Sequence, residues 1–416
     1  MSKSHNIGRW AVGLVLACAS IDARASALSF DIQLDTVLKF WDGRYDWAQV
    51  WAGAIPGAGH GGGPAVLITT QKEDNTSSDY YSGVSTLRSD DLGATWSAPV
   101  LQQALTPHTN PDQSIRGLCD FTSGWLPGPK RFLITGHTVL YANGQLAPVP
   151  YDRSTAYALY DPATNVWTPW RELAMPDREK FYNAGSGMGQ WVLEPDGTIL
   201  LPVYYKPKSE DKKESYTATI VRCAVEGDTL KYVEHGDELK HEVPRGYCEP
   251  SLTWFNGTYY LTLRNDVRGY VTTSKDGLHF GPIVPWNFDD GQELGSYNTQ
   301  QHWATHSGGL FLVYTRRGAN NDHVIRNRAP LFMAQVDPEK LVVLRATERV
   351  LVPDRGASLG NFGVANISPN ETWVTVGECM YSPECTKRGA DGSVFAARIK
   401  WSEPNTLLGA GQPVPR

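Results

Sequence analysis

A unit of two apolar strands recurs six times along this chain and constrains its fold more than any other feature. Each copy has a small or polar residue, an apolar strand, a turn with Gly or Asn, and a second apolar strand. The copies begin near Gln49, Arg116, Tyr182, Tyr247, Tyr297 and Phe362. Their starts are almost evenly spaced, with one shorter interval between Tyr247 and Tyr297, and each interval suits one four-stranded blade with its loops. The spacing predicts an all-β chain that forms a six-bladed β-propeller.

The alternating segment from Leu28 to Phe40 has no hairpin partner beside it in the sequence. Alternation of apolar and polar residues is typical of a β-strand. A propeller leaves an open strand edge unless its last blade is completed. We therefore expect this segment to pair with residues 393–401 and to close the last blade. The single propeller domain would span residues 28–405, followed by a C-terminal tail of residues 406–416.

Residues 1–27 have the pattern of a secretory signal peptide. A basic start is followed by an apolar stretch from Trp10 to Cys18 and by small residues that end at Ala27. The apolar stretch is shorter than the roughly 20 residues that cross a bilayer, so no membrane span is expected. The protein is predicted to be secreted or periplasmic. A lipoprotein anchor at Cys18 is the alternative.

Charge and cysteine content exclude several classes of partner. The chain has 38 Lys and Arg against 44 Asp and Glu, so nucleic acid is not an expected partner. No zinc-ligand spacing is present among the six cysteines, and neither a metal nor a cofactor is predicted. Cys379 and Cys385 are the pair close enough in sequence to suggest a local bridge, whereas the other cysteines of the mature chain are expected to be buried thiols.

The segment SDDLGATW, residues 89–96, has the composition of a tight turn, and SKDGLHF, residues 274–280, is a shortened version. Asp91 can accept backbone N–H groups within the turn, Gly93 can adopt a positive φ, and Trp96 can pack into a blade. This pattern resembles the Asp-box of sialidases and related propellers. The resemblance implies a fold and not a catalytic site.

The segment GYCEPSLTWFNGTYYLTLRND, residues 246–266, places Glu249 before one apolar strand and Arg264 at the end of the next. In a hairpin that lines a channel, both residues lie at the same mouth. The segment resembles the fourth-blade segment of sialidases, in which an arginine follows a glutamate at the separation that Arg264 has from Glu249 here. In that family the glutamate polarises a catalytic tyrosine, and the arginine binds the carboxylate of the substrate. A structural ion pair is the alternative for Glu249 and Arg264.

Two later segments also resemble sialidases. RNRAPLFMAQVD resembles the segment that carries the last arginine of the substrate-binding triad, which implies Arg328, with Arg326 as the second candidate. FGVANISPNETWVTVGE resembles the final-blade segment, which begins with the nucleophilic tyrosine and ends with a glutamate that supports the first arginine. Glu378 fits that glutamate. Phe362 stands at the tyrosine position and has no oxygen to attack a sugar.

The first blade departs from the family as well. Sialidases carry an arginine followed by Ile-Pro there, whereas this chain has WAQVWAGAIPG, with Gln49 or Trp51 at the start of the strand. Arg116 is the candidate replacement, and an ordinary surface arginine is its alternative. Asp79, or Asp74 just before it, lies in the loop where sialidases keep their acid/base aspartate. A solvated loop carboxylate is the alternative for this position.

Other polar side chains are expected near the channel. His302 lies on the fifth innermost strand, and further candidates are Asp120, His137, Tyr182 and Tyr297. Tyr182 or Tyr297 could supply a nucleophile from a neighbouring blade. His and Tyr side chains beside arginines also fit a lyase that removes the proton α to a uronate carboxylate. A satisfied core residue is the alternative for a histidine on an apolar strand.

These patterns predict a secreted, sialidase-like glycoside hydrolase that acts on an anionic sugar, one with a carboxylate, of a glycan. The alternatives are a propeller polysaccharide lyase acting on uronate-containing polysaccharide and a non-catalytic glycan-binding propeller. Because Phe362 replaces the tyrosine, ordinary sialic-acid hydrolysis is not predicted. The predicted catalytic residues are Glu249, Asp79, Tyr182 and His302. The predicted substrate-binding residues are Arg264, Arg328, Arg116 and Glu378.

Overall fold

The computed structural model describes Met1 and residues 28–76, 79–148, 152–210 and 215–408. Apart from Met1, the predicted signal peptide lies outside the described residues, as do residues 409–416 of the predicted tail. None of the helices in the described ranges is long and apolar enough to cross a membrane.

Short strands dominate the described chain, and after a first strand they follow one another in six groups. The first strand is β1 (Phe30–Lys39). Group one contains β2 (Tyr45–Ile55), β3 (Ala65–Asp74), β4 (Tyr81–Ser89) and β5 (Val100–Leu101). Group two contains β6 (His108–Thr109), β7 (Ile115–Leu126), β8 (Arg131–Ala142), β9 (Gln145–Leu146), β10 (Thr155–Asp161), β11 (Val166–Trp167) and β12 (Arg171–Glu172). Group three contains β13 (Asn183–Gly185), β14 (Val192–Leu193), β15 (Ile199–Lys206), β16 (Thr217–Glu226) and β17 (Thr229–His235).

The remaining three groups are also built mainly of short strands. Group four contains β18 (Cys248–Phe255), β19 (Thr258–Arg264), β20 (Tyr270–Ser274) and β21 (Val284–Pro285). Group five contains β22 (His302–His306), β23 (Gly309–Tyr314), β24 (Leu331–Asp337), β25 (Val342–Val343) and β26 (Arg349–Val352). Group six contains β27 (Phe362–Ser368), β28 (Glu371–Gly377) and β29 (Ser393–Trp401), with the short helix α1 (Pro383–Lys387) before β29. Single 3-10 turns are at His60–Gly62, Gln103–Leu105, Lys208–Glu210, Ile325–Asn327, Arg345–Thr347 and Thr406–Leu408.

Each group forms an antiparallel sheet from strands that are close in sequence. The exception is β1, which pairs antiparallel with β29, from Phe30 opposite Trp401 to Lys39 opposite Ser393. That is the pairing expected for residues 28–40. One parallel pair, Val50 with Phe362, connects β2 to β27, so groups six and one share an eight-stranded sheet.

The core lies between the sheets. Six large apolar clusters each combine residues of two successive groups, and one of them combines group six with group one. In that cluster Trp47 and Val50 pack with Trp373 and Ala396. Each sheet is therefore covered on both faces by its two neighbours, and the groups pack in cyclic order. An all-β propeller has this arrangement.

The two turns with central aspartates are held by side-chain hydrogen bonds. Asp91 accepts the backbone N–H of Thr95 at 2.8 Å and its hydroxyl at 2.6 Å. Asp276 accepts two backbone N–H groups at 2.9 and 2.8 Å. Gly93 has a φ of 83°, and a Cβ there would lie 2.8 Å from the ring of Trp373. Glycine at this position is required both by the turn and by packing against the neighbouring sheet.

The first long strands of the groups face one another around a common axis. Ser251 of β18 contacts Nδ1 of His302 on β22 at 2.7 Å. The His302 ring packs against Phe362 of β27 and Trp51 of β2, with ring centroids 4.9 and 5.1 Å apart. We call β2, β7, β18, β22 and β27 the innermost strands.

Three innermost strands are interrupted by a bulge at a polar residue. Where β2, β7 and β18 pair with the next strand, the register shifts around Gln49, Asp120 and Glu249. These residues have φ values of 54°, 53° and 41°. Non-glycine residues rarely adopt positive φ, and a bulge redirects the side chain of the extra residue. The bulges bring polar groups of different sheets together where the innermost strands begin.

Candidate active site

A cavity of about 540 Å³ lies at the end of the molecule where the innermost strands begin. Its wall contains five arginines, namely Arg153, Arg245, Arg264, Arg326 and Arg328. It also contains four carboxylates, namely Asp79, Asp120, Asp152 and Glu249. Its aromatic polar groups are Tyr81, Tyr204, Tyr216, Tyr381 and His137. The volume and the convergence of polar groups are those of a small-ligand site.

Glu249 and Arg264 form a buried ion pair in this wall. Arg264 donates through Nη1 to Glu249 Oε1 and through Nη2 to the side-chain oxygen of Asn298 at 3.0 Å. Burial opposes ionisation of Glu249, but the charges of Arg264, Arg245 and Arg328 outweigh it and lower the pKa of Glu249 to about 2. Glu249 is therefore a carboxylate at neutral pH, and it holds Arg264 in place.

Three guanidinium groups surround Glu249, and one of them, Arg264, also lies 3.6 Å from Asp266. Arg328 donates through Nε and Nη2 to the backbone oxygen of Asn298, at 3.1 Å for Nε, so Arg264 and Arg328 are held on the same residue. Burial, together with the charges of Arg264 and Arg326, lowers the pKa of Arg328 to about 10. Nε of Arg264 and Nε of Arg245 are buried with no hydrogen-bond partner among the described residues. Clustered like charges with unused N–H groups can bind an anion, and guanidinium suits a carboxylate.

A second wall, adjoining the first, contains a chain of hydrogen bonds. Gln49 donates through Nε2 to Asp120 Oδ1 at 2.6 Å, and His137 donates through Nε2 to Asp120 Oδ2 at 2.9 Å. The other ring nitrogen, Nδ1, lies 3.4 Å from Cys119 Sγ and 3.1 Å from the backbone oxygen of Thr138. Cys119, Asp120 and His137 are residue types that bind metals. However, Cys119 and Asp120 contact opposite nitrogens of one imidazole, which is the geometry of a hydrogen-bonded chain.

Arg153 extends this second wall. Its guanidinium carbon lies 4.8 Å from the ring centroid of Tyr204 and 5.4 Å from that of Tyr216. Nε and Nη2 of Arg153 are buried without a hydrogen-bond partner in the described chain. The cavity therefore offers unused guanidinium N–H groups on both walls.

Tyr381 enters the cavity from the segment after β28. Its hydroxyl contacts Glu73 Oε1 at 3.4 Å. Glu73 lies directly opposite Asp46 in the ladder of β2 and β3, and the two residues are 1% and 0% exposed. Burial, then the charges of Asp46 and Asp79, raises the pKa of Glu73 well above its usual value. Burial raises the pKa of Asp46 to about 6.

Four of the predicted site residues lie in the wall of this cavity, namely Glu249, Arg264, Arg328 and Asp79. Asp79 is an exposed loop residue whose Oδ1 accepts the hydroxyl of Tyr81 at 3.3 Å. Asp120 and His137, which were expected near the channel, also line the cavity.

Arg116 and Tyr182 are placed elsewhere. Arg116 donates to Glu172 at 2.8 Å and to the backbone oxygen of Asp152 at 3.0 Å, so it forms surface contacts at the rim of group two. The ring of Tyr182 lies 5.6 Å from the ammonium group of Lys208 and is not part of the cavity wall. Arg116, the candidate replacement guanidinium, and Tyr182, a candidate nucleophile, are therefore not brought to the cavity, because each is engaged by neighbours outside its wall.

His302 and Glu378 are also outside the wall. His302 is fully buried, and burial lowers its pKa to about 3, so it is a neutral core residue. Glu378 accepts the backbone N–H groups of Asp391 and Ser393 at 3.0 and 3.1 Å and lies 3.5 Å from Arg355. It therefore holds a loop in place and does not support any of the arginines that line the cavity.

Two further expectations from the sequence are also corrected. Tyr297, the other candidate nucleophile, donates to Asn327 at 2.6 Å and does not line the cavity. Cys379 and Cys385 are free buried thiols, so the suggested bridge is not formed.

Sequence reasoning missed Arg153, Arg245, Tyr204, Tyr216 and Tyr381. One signal was available for Tyr381. The end of β28 lies beside the start of β27, where Val376 pairs with Phe362, as Glu249 lies beside Arg264. The same hairpin argument therefore places residues just after Gly377 near the position of the missing tyrosine.

No family model matches the chain, and no curated protein matches it. Solved structures do match its fold. A protein of unknown function from Dyadobacter fermentans has a TM-score of 0.60 and 13% identity over 88% of this chain and 99% of its own. Trypanosoma rangeli sialidase in complex with the inhibitor DANA has a TM-score of 0.56 and 13% identity, and the match covers 88% of this chain and 59% of that one.

The fold of a K499G mutant of the NanB sialidase from Streptococcus pneumoniae matches that of this chain about as well. Its TM-score is 0.58 at 11% identity, and the match covers 88% of this chain and 70% of that one. At such identities the likeness concerns the fold alone. Together with the all-β sheets and their cyclic packing, it shows that this chain has a sialidase-like propeller fold.

Proposed function

We propose that this protein is a secreted, sialidase-like glycoside hydrolase that acts on a carboxylate-bearing sugar of a glycan. Its six groups of strands would be the blades of one propeller, which the pairing of β1 with β29 closes. The cyclic order of the apolar clusters supports this architecture.

The observation that carries the proposal is the cluster of Arg245, Arg264 and Arg328 around Glu249. Three positive charges face Glu249, and Asp266, which lies 3.6 Å from Arg264, supplies one further negative charge. One positive charge is therefore in excess, and unused N–H groups remain at the cavity. A bound carboxylate would supply the third negative charge, after Glu249 and Asp266, and would accept two N–H bonds from one guanidinium plane. A neutral sugar would leave that excess charge uncompensated in a partly desolvated site.

Tyr381 and Glu73 are the best candidates for the nucleophilic pair. Phe362 cannot attack, whereas the Tyr381 hydroxyl is in the cavity wall next to Glu73. As the phenolic oxygen forms a bond to the anomeric carbon, its proton would pass to Glu73, and Asp79 would protonate the departing glycosidic oxygen. Water would then attack the anomeric carbon, with Asp79 taking its proton, while the bond to Tyr381 breaks and Glu73 returns its proton to the phenolic oxygen. Because Glu73 must be ionised to take this proton, and burial raises its pKa, the loss of turnover on the acidic side should follow the titration of Glu73.

Neither histidine that was considered as the base of a lyase supports elimination. A lyase needs a base that is free to take the proton α to the carboxylate. Both ring nitrogens of His137 are already engaged, by Asp120 on one side and by Cys119 and Thr138 on the other. His302, the other candidate base, lies in the core.

The test compares parent, Tyr381→Phe and Tyr182→Phe on sialosides and uronate-containing oligosaccharides. New reducing ends report hydrolysis, and the unsaturated product reports elimination. We expect hydrolysis by the parent, a loss of at least 100-fold in Tyr381→Phe, and parental turnover in Tyr182→Phe, whose ring is outside the cavity. A fluorosugar trap should label Tyr381. Unsaturated product, tight binding without turnover, or full activity of Tyr381→Phe would each overturn the proposal.

A further inference from the structure

A second cavity, of about 320 Å³, lies at the other end of the innermost strands. The two cavities share these strands but not their residues. On β18, Glu249 lines the first cavity and Thr253 the second; on β7, Asp120 lines the first and Trp125 the second. The volume is at the lower end of the range for small-molecule sites, ~300–1,000 Å³.

The chemistry of the second cavity is the opposite of that of the first. Among the described residues, its wall contains no Asp, Glu, Lys, Arg or His, whereas the first has nine charged residues. Four indole rings line it, namely Trp51, Trp125, Trp191 and Trp303. The remaining side chains include hydroxyl and amide groups. We call this cavity the tryptophan mouth.

The floor of the tryptophan mouth is fixed by hydrogen bonds. Gln190 accepts the backbone N–H of Trp303 at 2.6 Å and donates to its backbone oxygen at 2.9 Å. Trp51 and Trp303 are 1% and 2% exposed. The ring of Trp191 lies across Gly124, where a Cβ would be 2.6 Å from the indole. The shape of the cavity is therefore set before any ligand arrives.

Three polar atoms at this cavity have no hydrogen-bond partner within the described part of the chain. They are the indole N–H of Trp191 and the hydroxyls of Thr122 and Ser123, and the two hydroxyl residues are 3% and 6% exposed. An unpartnered buried polar group destabilises the folded state, so such groups in a native structure indicate a partner that binds there. That partner must be uncharged, because no described side chain of the wall would compensate a charge.

A sugar ring matches both the indole rings and the unpartnered polar groups of this cavity. Its C–H faces are flat and apolar and can stack on the two partly exposed indole rings, those of Trp125 and Trp191. Its hydroxyl groups both donate and accept hydrogen bonds. We propose that the tryptophan mouth is a second, non-catalytic binding site for an uncharged sugar residue. This site does not depend on the proposed hydrolase activity, since it selects a neutral ligand at the opposite end of the channel.

The test measures binding of the neutral disaccharides lactose, cellobiose and xylobiose by calorimetry, with and without an excess of glucuronate and sialic acid. Trp191→Phe removes the unpartnered N–H, and Ser123→Ala removes an unpartnered hydroxyl without leaving a large void. Trp254→Phe is the matched control, because Trp254 is next to Thr253 on β18 but lines neither cavity.

We expect at least one disaccharide to bind the parent, and both site variants to weaken it by at least fivefold while keeping parental turnover of any carboxylated substrate. The control should bind as the parent does, and the acidic sugars should not displace the disaccharide. The proposal is overturned if no disaccharide binds, since water alone then fills the cavity. Displacement by the acidic sugars, or undiminished binding in both site variants, would overturn it too.

Discussion

Replacing Glu249 by Gln tests whether this residue orients an arginine or transfers a proton. The change removes one negative charge from the cluster of Arg245, Arg264 and Arg328 while keeping the shape of the side chain. A pKa of about 2 in place of the ordinary 4.5 corresponds to about 3 kcal/mol of folding free energy at neutral pH. Removal of one partner of a buried pair costs ~3–5 kcal/mol, which agrees. We expect Glu249→Gln to lose about 3 kcal/mol of unfolding free energy at pH 7.

The pH dependence of this loss follows from the direction of the shift. The pKa of Glu249 is lower in the folded protein, so its contribution is complete above pH 4.5 and disappears as the pH falls towards 2. Urea unfolding of parent and variant at pH 7 and at pH 3 should therefore show a smaller difference at pH 3. Glu172→Gln is the control, because its pair with Arg116 is partly exposed and surface pairs contribute less than about 1 kcal/mol.

Steady-state kinetics separate the two roles of Glu249. A residue that only positions Arg264 should raise KM for a carboxylated substrate more than it lowers kcat. If Glu249→Gln instead unfolds like the parent and loses kcat at unchanged KM, then Glu249 transfers a proton and does not act by positioning Arg264.

Three more predictions concern neighbouring groups. Asp46 has a raised pKa of about 6, so the folded state binds its proton more tightly and the parent should lose about 3 kcal/mol of stability between pH 4 and pH 7. Asp46→Asn should show a smaller slope in urea unfolding, because the raised pKa of Glu73 still contributes to it, and an unchanged slope contradicts the assignment. Arg328→Lys keeps the charge but loses the two N–H bonds to Asn298. The KM for a carboxylated substrate should therefore rise at least tenfold with little change in Tm. A parental KM would argue that Arg328 does not bind the substrate carboxylate. Gly187→Ala would place a Cβ 2.6 Å from the His137 ring and should cost about 1–3 kcal/mol, whereas Gly128→Ala, with nothing within 4 Å, should unfold as the parent does.

The fold could be predicted from the sequence because strand repeats and turn residues are local signals. The spacing of the copies and the unpaired segment at Leu28 correctly indicated the all-β chain and the partner of β1. The inward-facing residues were located less well. On β7 the expected substrate-binding residue was Arg116, but the bulge on that strand turns Asp120 into the cavity instead. The sequence does not reveal which residue of a strand will be left unpaired.

The site was predictable where a motif or a hairpin fixed the geometry, as for Glu249 and Arg264. Arg153 and Tyr381 come from connecting segments, in which no periodicity tells which way a side chain points. His302 was expected at the mouth because it begins an innermost strand. It lies deeper because its ring fills the axis between Trp51 and Phe362, and such packing depends on three sheets at once.

The pairing of β1 with β29 also determines the order in which the protein can fold. Phe30 and Trp401 are partners although they lie near opposite ends of the described chain, so this contact cannot form until the ribosome has made almost all of that chain. Loop-closure entropy opposes such a distant contact in an unfolded chain. Once the six groups have packed, however, β29 lies in the same sheet as β2, which begins at Tyr45, shortly after β1 ends at Lys39. The short segment between Lys39 and Tyr45 then holds β1 close to the edge of β29. The pairing of Phe30 with Trp401, distant in sequence, therefore becomes a local docking step at the end of folding.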